Sequence, residues 1–163
     1  MRRRREKVEL TGDEEQIVSF RLGKSTFAVS VNQVREIGKV QDITKIPKMP
    51  DYIEGVMNLR GRIISLIDVK HFFGQQKTKL NGDSMIAVAE IGKTTIGFIF
   101  DTTDGVFYID NNEIKPPLET IDPRMMRYTR GQLELNGRLC SLIGLKEIIE
   151  GDEVRAFVEE QSR

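Results

Sequence analysis

The side chains that could do chemistry in this sequence are few and widely spaced. His71 is the only histidine, so no second histidine exists to complete a proton relay or a metal site. Asp101, Asp104 and Asp110 offer oxygen ligands for a hard cation, but they lack the spacing and terminal glutamate of an EF-hand loop. We interpret them as carboxylates of strand ends and turns, and we predict no metal site.

Two short motifs and one thiol complete the list of candidates. The Gly-Lys-Ser and Gly-Lys-Thr stretches at 23–25 and 92–94 lack the upstream glycine and the following long helix of a phosphate-binding loop. Cys140, the single cysteine, lies in an apolar segment and is interpreted as a small buried residue rather than a nucleophile. With no triad and no cofactor fingerprint, the sequence predicts no catalytic residues and no cofactor, and function must reside in surfaces.

Charge and composition argue against further classes of partner. The 163 residues include 25 Lys and Arg against 25 Asp and Glu, so no net field draws in nucleic acid or an anionic membrane. Hydrophobic residues are 39% and charged residues 31%, as in folded globular chains. The apolar runs are too short to span a bilayer, and no signal-peptide core follows the first residues. We therefore expect a cytoplasmic protein without direct membrane insertion, and the lone cysteine agrees with a reducing compartment.

The sequence pattern predicts that the elements positioning any surface site are short strands joined by turns. Residues 17–22 and 26–31 flank a Gly-Lys turn, and residues 86–91 and 95–100 flank another with the same layout, which predicts two hairpins. Residues 1–15 hold blocks of charge without apolar periodicity and are predicted to be a disordered tail. Arg2 to Arg5 in that tail are interpreted as solvated side chains.

A duplication is visible further along the chain. Residues 52–70 align without gaps with residues 128–146, and Tyr, two Gly, Leu, Arg, Ser-Leu-Ile and Lys coincide. We call these the first and second repeat blocks. Each block predicts a strand, a tight Gly-Arg turn in which Gly61 or Gly137 supplies positive φ, a buried strand, and a short helix at 69–73 or 145–149. Together with proline-containing loops in both halves, the pattern predicts two small antiparallel barrels or sandwiches of about five strands each.

The stretch from Gly55 to Asp68 closely resembles the Gly-Val-x-Asn-Leu-Arg-Gly-x-Ile-x-x-x-x-Asp signature of CheW-like chemotaxis coupling proteins. The resemblance covers residues 16–150 and extends to the first hairpin, to residues 34–37 and to residues 97–101. It implies a mainly β fold: two five-stranded SH3-like β-barrel subdomains with a shared hydrophobic core and short helices. We expect the subdomains at about 16–80 and 81–150, with an exchange of terminal strands left open, and a tail or short helix at 151–163.

The resemblance also implies partners and a site. Family members couple transmembrane chemoreceptors to the regulatory domain of the histidine kinase CheA and have no catalytic activity. Position by position, Val34 and Gly55 match kinase-binding places, and Arg60 matches the arginine of receptor coupling, with Glu36 as its acidic neighbour and Asn58 beside it in the signature. We hypothesise a Glu36–Arg60 ion pair that orients a receptor-facing surface, in clusters at the inner membrane. Two alternative interpretations stay open: that Val34 only packs in the core, and that Arg60 only caps a turn.

The second repeat block departs from the signature. Asn136 replaces Arg60, Gln132 replaces Val56 and Gly144 replaces Asp68, so we expect this block to keep the scaffold without duplicating the site, and its closing helix to be less well capped. Three other readings stay open. They are the coupling domain of a CheV-like protein, an adaptor for a pathway other than chemotaxis, and a small β-barrel RNA-binding protein.

Overall fold

The structure, a computed structural model, describes residues 13–77, 80–119 and 122–161. The arginines at 2–5 and most of the predicted tail lie outside these ranges. Strand β1 begins at Glu14, so Glu14 and Glu15, which we expected in the tail, belong to a sheet. The described residues form ten strands and six short helices, namely β1 (Glu14–Leu22), β2 (Ser25–Ser30), η1 (Val31–Gln33), β3 (Glu36–Lys39), β4 (Ile53–Leu59), β5 (Arg62–Asp68), η2 (Val69–Phe73), β6 (Met85–Ile91), β7 (Thr94–Phe100), β8 (Thr102–Asp110), η3 (Asn111–Glu113), α1 (Pro123–Met126), β9 (Thr129–Leu135), β10 (Arg138–Ile143), α2 (Leu145–Ile149) and α3 (Asp152–Gln161), where η denotes a 3₁₀ helix.

The strands form two five-stranded sheets of the same design. One, which we call barrel 1, has the order β8-β1-β2-β10-β9, and the other, barrel 2, has the order β3-β6-β7-β5-β4. Each contains one parallel pair, β10 with β2 or β5 with β7, among antiparallel neighbours. Both predicted Gly-Lys hairpins are present, as the antiparallel pairs β1–β2 and β6–β7. The mainly β fold with two five-stranded subdomains is therefore confirmed.

The two barrels exchange strands between the halves of the sequence. Barrel 1 joins the first hairpin, β1–β2, to β8, β9 and β10 of the second half, whereas barrel 2 joins β3, β4 and β5 to the second hairpin, β6–β7. The sheets thus do not follow the expected division of the chain at residues 80 and 81. Each half of the sequence is one copy of a repeated unit, but each barrel takes strands from both copies.

One backbone bridge closes the seam of each barrel. In barrel 2, Thr44 and Val56 exchange N–H···O bonds of 2.8 and 2.9 Å, which ties the chain after β3 to β4 at the opposite edge of the sheet. Lys115 and Gln132 do the same in barrel 1, at 2.7 and 2.8 Å. The two bridges stand at equivalent positions of the repeat, which supports the duplication independently of residue identity.

A hydrophobic core lies between the barrels and joins them. Phe20 of β1 stacks on Phe100 of β7 with ring centroids 4.0 Å apart, and Phe27 of β2 stacks on Phe73 of η2 at 5.1 Å. Each barrel also has a smaller interior cluster of its own, around Cys140 and Leu142 in barrel 1 and around residues 64 and 66 in barrel 2. The shared core makes the two barrels one packed body.

The last helix covers part of this shared core. Helix α3 buries Val154 and Phe157, and the Tyr52 hydroxyl donates to the Glu153 carbonyl at 2.9 Å. Burial raises the pKa of Tyr52 to about 12, and the Glu153 carboxylate adds to the effect. None of the described helices has the length and apolar character needed to cross a membrane.

The tight turns of the repeat blocks lie one residue earlier than the Gly-Arg pair predicted. The central residues are Arg60-Gly61 and Asn136-Gly137, and all four have positive φ, from 51° to 85°. Two consecutive left-handed residues form the hairpin turn whose twist matches the flanking strands. Gly61 and Gly137 therefore take positive φ as predicted, while Arg62 and Arg138 already belong to strands.

Candidate functional site

Glu36 and Arg60 form a two-pronged ion pair across the seam of barrel 2. The Arg60 Nη2 atom lies 3.0 Å from Glu36 Oε1, and Nη1 donates to Oε2 at 3.3 Å. Glu36 begins β3 at one edge of the sheet, and Arg60 follows β4 at the other edge. The pair therefore spans the same seam as the Thr44–Val56 bridge. The ion pair that we hypothesised is present.

A hydrogen bond inside the turn stabilises the turn that contains Arg60. The Asn58 side-chain oxygen accepts a hydrogen bond from the Gly61 N–H at 2.9 Å. Arg60 itself has φ of 53°, a conformation that costs most residues other than Gly or Asn of order 1 kcal/mol. Asn58 therefore acts first as a brace for the turn. Arg60 therefore lies at the strained tip of the turn, where its guanidinium pairs with Glu36 and also faces outward.

Val34 lies in the segment that passes from barrel 1 to barrel 2. We call residues 31–35 the crossing segment; it contains η1 and ends where β3 begins. Val34 is partly buried and packs against the shared core, and its N–H donates to the Val31 carbonyl at 3.0 Å. The packing role that we left open for Val34 is therefore real, and part of its side chain still reaches the surface.

Gly55 is buried beneath the chain that closes the seam. A Cβ at this position would lie 2.6 Å from both the Thr44 carbonyl oxygen and the Ile43 Cγ2 atom, and its φ is +152°. The equivalent Gly131 meets Lys115 and Ile114 in the same way, at 2.5 and 2.6 Å. Both glycines thus allow the close backbone approach at the seam, so an effect of Gly55 on a partner would pass through the backbone.

The site residues occupy two ends of barrel 2. Residues 56–59 of β4, a length of roughly 16 Å, separate Gly55 from Arg60, which follows the end of the strand. Glu36, Asn58 and Arg60 are brought together at the turn. Ile63, which pairs with Asn58 across the hairpin and is 65% exposed, adds an apolar side chain there that we did not single out from sequence.

The two repeat blocks differ in how their closing helices begin. In the first block, the Asp68 carboxylate accepts from the Lys70 N–H at 3.1 Å, and burial raises the pKa of this carboxyl. Gly144 has no side chain to do so, but the Gln33 side-chain oxygen accepts from the Leu145 N–H at 2.9 Å. The N-cap residue of α2 thus makes no side-chain bond, as expected, and the first N–H of the helix is bonded from the crossing segment instead.

The remaining candidates for chemistry have structural surroundings. His71 Nε2 lies 3.4 Å from Glu153 Oε2, and its ring packs near Tyr52 and Phe72. Cys140 is fully buried, and burial raises the pKa of its thiol to about 12. Within residues 13–77, 80–119 and 122–161, no three His, Cys, Asp or Glu side chains stand close enough to hold a metal ion.

Comparison with known proteins shows which family has this architecture. The sequence model of the CheW-like domain matches residues 16–153. The chain belongs to the CheW-like family. It is 30% identical over 147 residues to the chemotaxis protein CheW of Thermotoga maritima, covering 88% of this chain and 93% of that protein, and 26% identical over 147 residues to the CheW of Rhizobium meliloti, covering 90% and 95%.

A solved CheW-like structure has the same fold. The crystal structure of the scaffolding protein TtCheW from Thermoanaerobacter tengcongensis matches with a TM-score of 0.73 and 36% sequence identity, over 85% of this chain and 94% of that one. The matched length shows that the CheW-like domain accounts for nearly all of the described chain. The resemblance noted from residues 55–68 is therefore confirmed as family membership.

Proposed function

We propose that this CheW-like protein is a non-catalytic adaptor that couples transmembrane chemoreceptors to a CheA histidine kinase. The observation that carries the proposal is the Glu36–Arg60 pair. The Arg60 side chain is 77% exposed, so its guanidinium keeps donors for a partner while the Glu36 carboxylate holds its orientation. Asn136 stands at the equivalent turn of the second block, which has no such arginine.

The two partners would use different parts of barrel 2. Glu36, Arg60 and the turn braced by Asn58 form the receptor-binding site, with the exposed Ile63 as an apolar contact beside them. Val34 contributes to kinase binding from the crossing segment, and Gly55, at a separate place in barrel 2, would affect it only through the seam backbone at Thr44 and Ile43. An adaptor of this kind works in the cytoplasm at receptor clusters and has no need of a cofactor.

The proposal is tested by binding measurements with two purified probes, the regulatory domain of a CheA kinase and a chemoreceptor cytoplasmic tip fragment from the same organism. We expect this protein to bind both. We expect Arg60→Asn to weaken receptor binding about tenfold or more, as for a charged contact at an interface, while kinase binding changes less than threefold. Asparagine is the substitution of choice because it accepts the left-handed turn conformation, as Asn136 shows.

A matched control removes the same charge elsewhere. Arg138 is an exposed arginine that follows the turn of the second block, and Arg138→Asn should leave receptor binding unchanged. Binding to neither probe would overturn the adaptor assignment. Equal loss in the two arginine variants would show a general effect of charge and would remove Arg60 as the receptor contact.

A further inference from the structure

Helix α2 begins at a residue that cannot cap it. Gly144 occupies the N-cap position in an extended conformation, with φ −103° and ψ 114°, and makes no side-chain hydrogen bond. The first N–H groups of a helix lack partners inside the helix and need an acceptor from elsewhere. In the first block, the equivalent residue Asp68 accepts a hydrogen bond from the N–H of Lys70, the second residue of η2.

An acceptor for the first N–H of α2, that of Leu145, comes from a residue more than one hundred positions away in the sequence. Gln33, the last residue of η1, places its side-chain oxygen 2.9 Å from the Leu145 nitrogen. The hydrogen bond is partly buried, at the edge of a cleft that Gln33, Leu145 and Ile149 help to line. A helix that follows the last strand of barrel 1 is therefore tied to the crossing segment.

The crossing segment is held from both sides at this point. On one side, Gln33 bonds to α2, and on the other, the Arg35 N–H donates to the Val88 carbonyl of β6 in barrel 2 at 2.7 Å. The Arg35 guanidinium also pairs with Glu90 of the same strand. Val34 lies between these two anchors, and Glu36 directly follows them. A residue fixed on both sides has fewer conformations to lose when a partner binds.

We propose that Gln33 is a positioning residue for the binding site: its bond to Leu145 holds the crossing segment in the conformation that presents Val34 and Glu36. This inference rests on the proposed adaptor function, because its effect is measured as partner binding. The inference also gives a functional consequence to the replacement of Asp68 by Gly144 in the second repeat block. Because the cap is supplied from the crossing segment, the second repeat block takes part in shaping a site that the first half of the sequence carries.

The test separates positioning from simple helix capping. Gln33→Met keeps the length of the side chain and removes the acceptor. Gly144→Ser restores a local cap, since serine at this place stands three residues before Glu147, the spacing of a capping box. The backbone of Gly144 suits any residue, and a Cβ there meets only the flexible end of the Glu147 side chain, which can turn aside.

Binding to the CheA regulatory domain is measured for the wild type, both single variants and the double variant, at a temperature where urea curves show all four folded. We expect Gln33→Met to weaken binding about three- to tenfold, the equivalent of one net hydrogen bond. Gly144→Ser alone should bind as the wild type does. The double variant should remain as weak as Gln33→Met, because the new cap does not hold the crossing segment.

Two results overturn the inference. If Gln33→Met binds as tightly as the wild type, the bond does not position the site; if the double variant recovers full binding, Gln33 only caps α2. If the wild type itself does not bind the kinase domain, the proposed function fails, and amide hydrogen exchange decides the positioning separately. Faster exchange of residues 31–36 in both variants lacking Gln33 supports it, and exchange equal to the wild type rejects it.

Discussion

The Glu36 carboxylate and the Arg60 guanidinium meet in a two-pronged contact of 3.0 and 3.3 Å that joins the two edges of the barrel 2 sheet. The seam is already closed by the Thr44–Val56 backbone bridge, so the ion pair is a second link across the same seam, further along β4. Glu36 is 25% exposed and Arg60 is 77% exposed. An ion pair so open to water holds geometry more than it stabilises the fold.

A double-mutant cycle at this pair tests that view. For Glu36→Gln, Arg60→Asn and the double variant, we expect a coupling contribution to the free energy of unfolding of about 0–1 kcal/mol, because water screens the exposed partner. Urea unfolding measures it. A coupling of several kcal/mol would instead make the pair a main support of barrel 2.

A substitution at Gly55 tests whether the close approach of the backbone at the seam requires glycine. Gly55→Ala should lower the free energy of unfolding by about 2–4 kcal/mol, because the added methyl meets the Thr44 carbonyl and the Ile43 side chain in a backbone conformation that favours glycine. Gly61→Ala is the matched control: it has positive φ but open space around it, so only about 1 kcal/mol is expected. Equal costs in urea unfolding would show that backbone conformation alone matters.

The buried carboxylate at the start of η2 makes stability depend on pH. Burial raises the pKa of Asp68, so the folded chain holds this proton more tightly than the unfolded chain. Its contribution to stability therefore falls as pH rises from the usual aspartate value of about 3.9 through the raised pKa, and above that range the charge is a constant cost.

Asp68→Asn keeps an oxygen to accept from the Lys70 N–H and removes the charge. We expect the variant to exceed the wild type in free energy of unfolding at pH 7, with the difference shrinking as pH falls through the raised pKa to the usual aspartate value. Urea curves across this range provide the comparison. Lower stability of the variant at pH 7 would mean that the attraction of Lys70 and Lys77 outweighs burial of the charge.

Cys140 provides a probe of the barrel 1 interior. Its thiol is fully buried with a pKa raised by burial to about 12, so it should react with a disulfide reagent at neutral pH only when the barrel opens. The labelling rate should fall by orders of magnitude between the urea-unfolded and native chain. Fast labelling of the native chain would contradict the packing around Cys140 and Leu142.

The local elements were predictable because each follows from a short pattern. The Gly-Lys turns separate runs of apolar and β-branched residues, and the hairpins form there as expected. The repeat of Gly61 and Gly137 marked the two tight turns, although the turn begins one residue earlier than predicted. The ion pair between Glu36 and Arg60 was predictable only through the family signature, since the two residues are 24 positions apart.

The exchange of strands between halves was not predictable in this way. Both hairpins present similar apolar faces, so either could complete either barrel. The connection after the second hairpin leads out of barrel 2: β7 ends at Phe100 and β8 begins at Thr102. Strand β8 pairs with β1 in the other barrel.

The sequence by itself determined the repeated unit, its hairpins, its turns and its family, because these depend on side chains close together along the chain. Only the tertiary structure decided which strands share a barrel, that Gly55 lies beneath the seam, and that Gln33 caps the helix after Gly144. Those relations join residues far apart in sequence. They arise when two copies of one unit pack on a shared core, and no local sequence pattern predicts them.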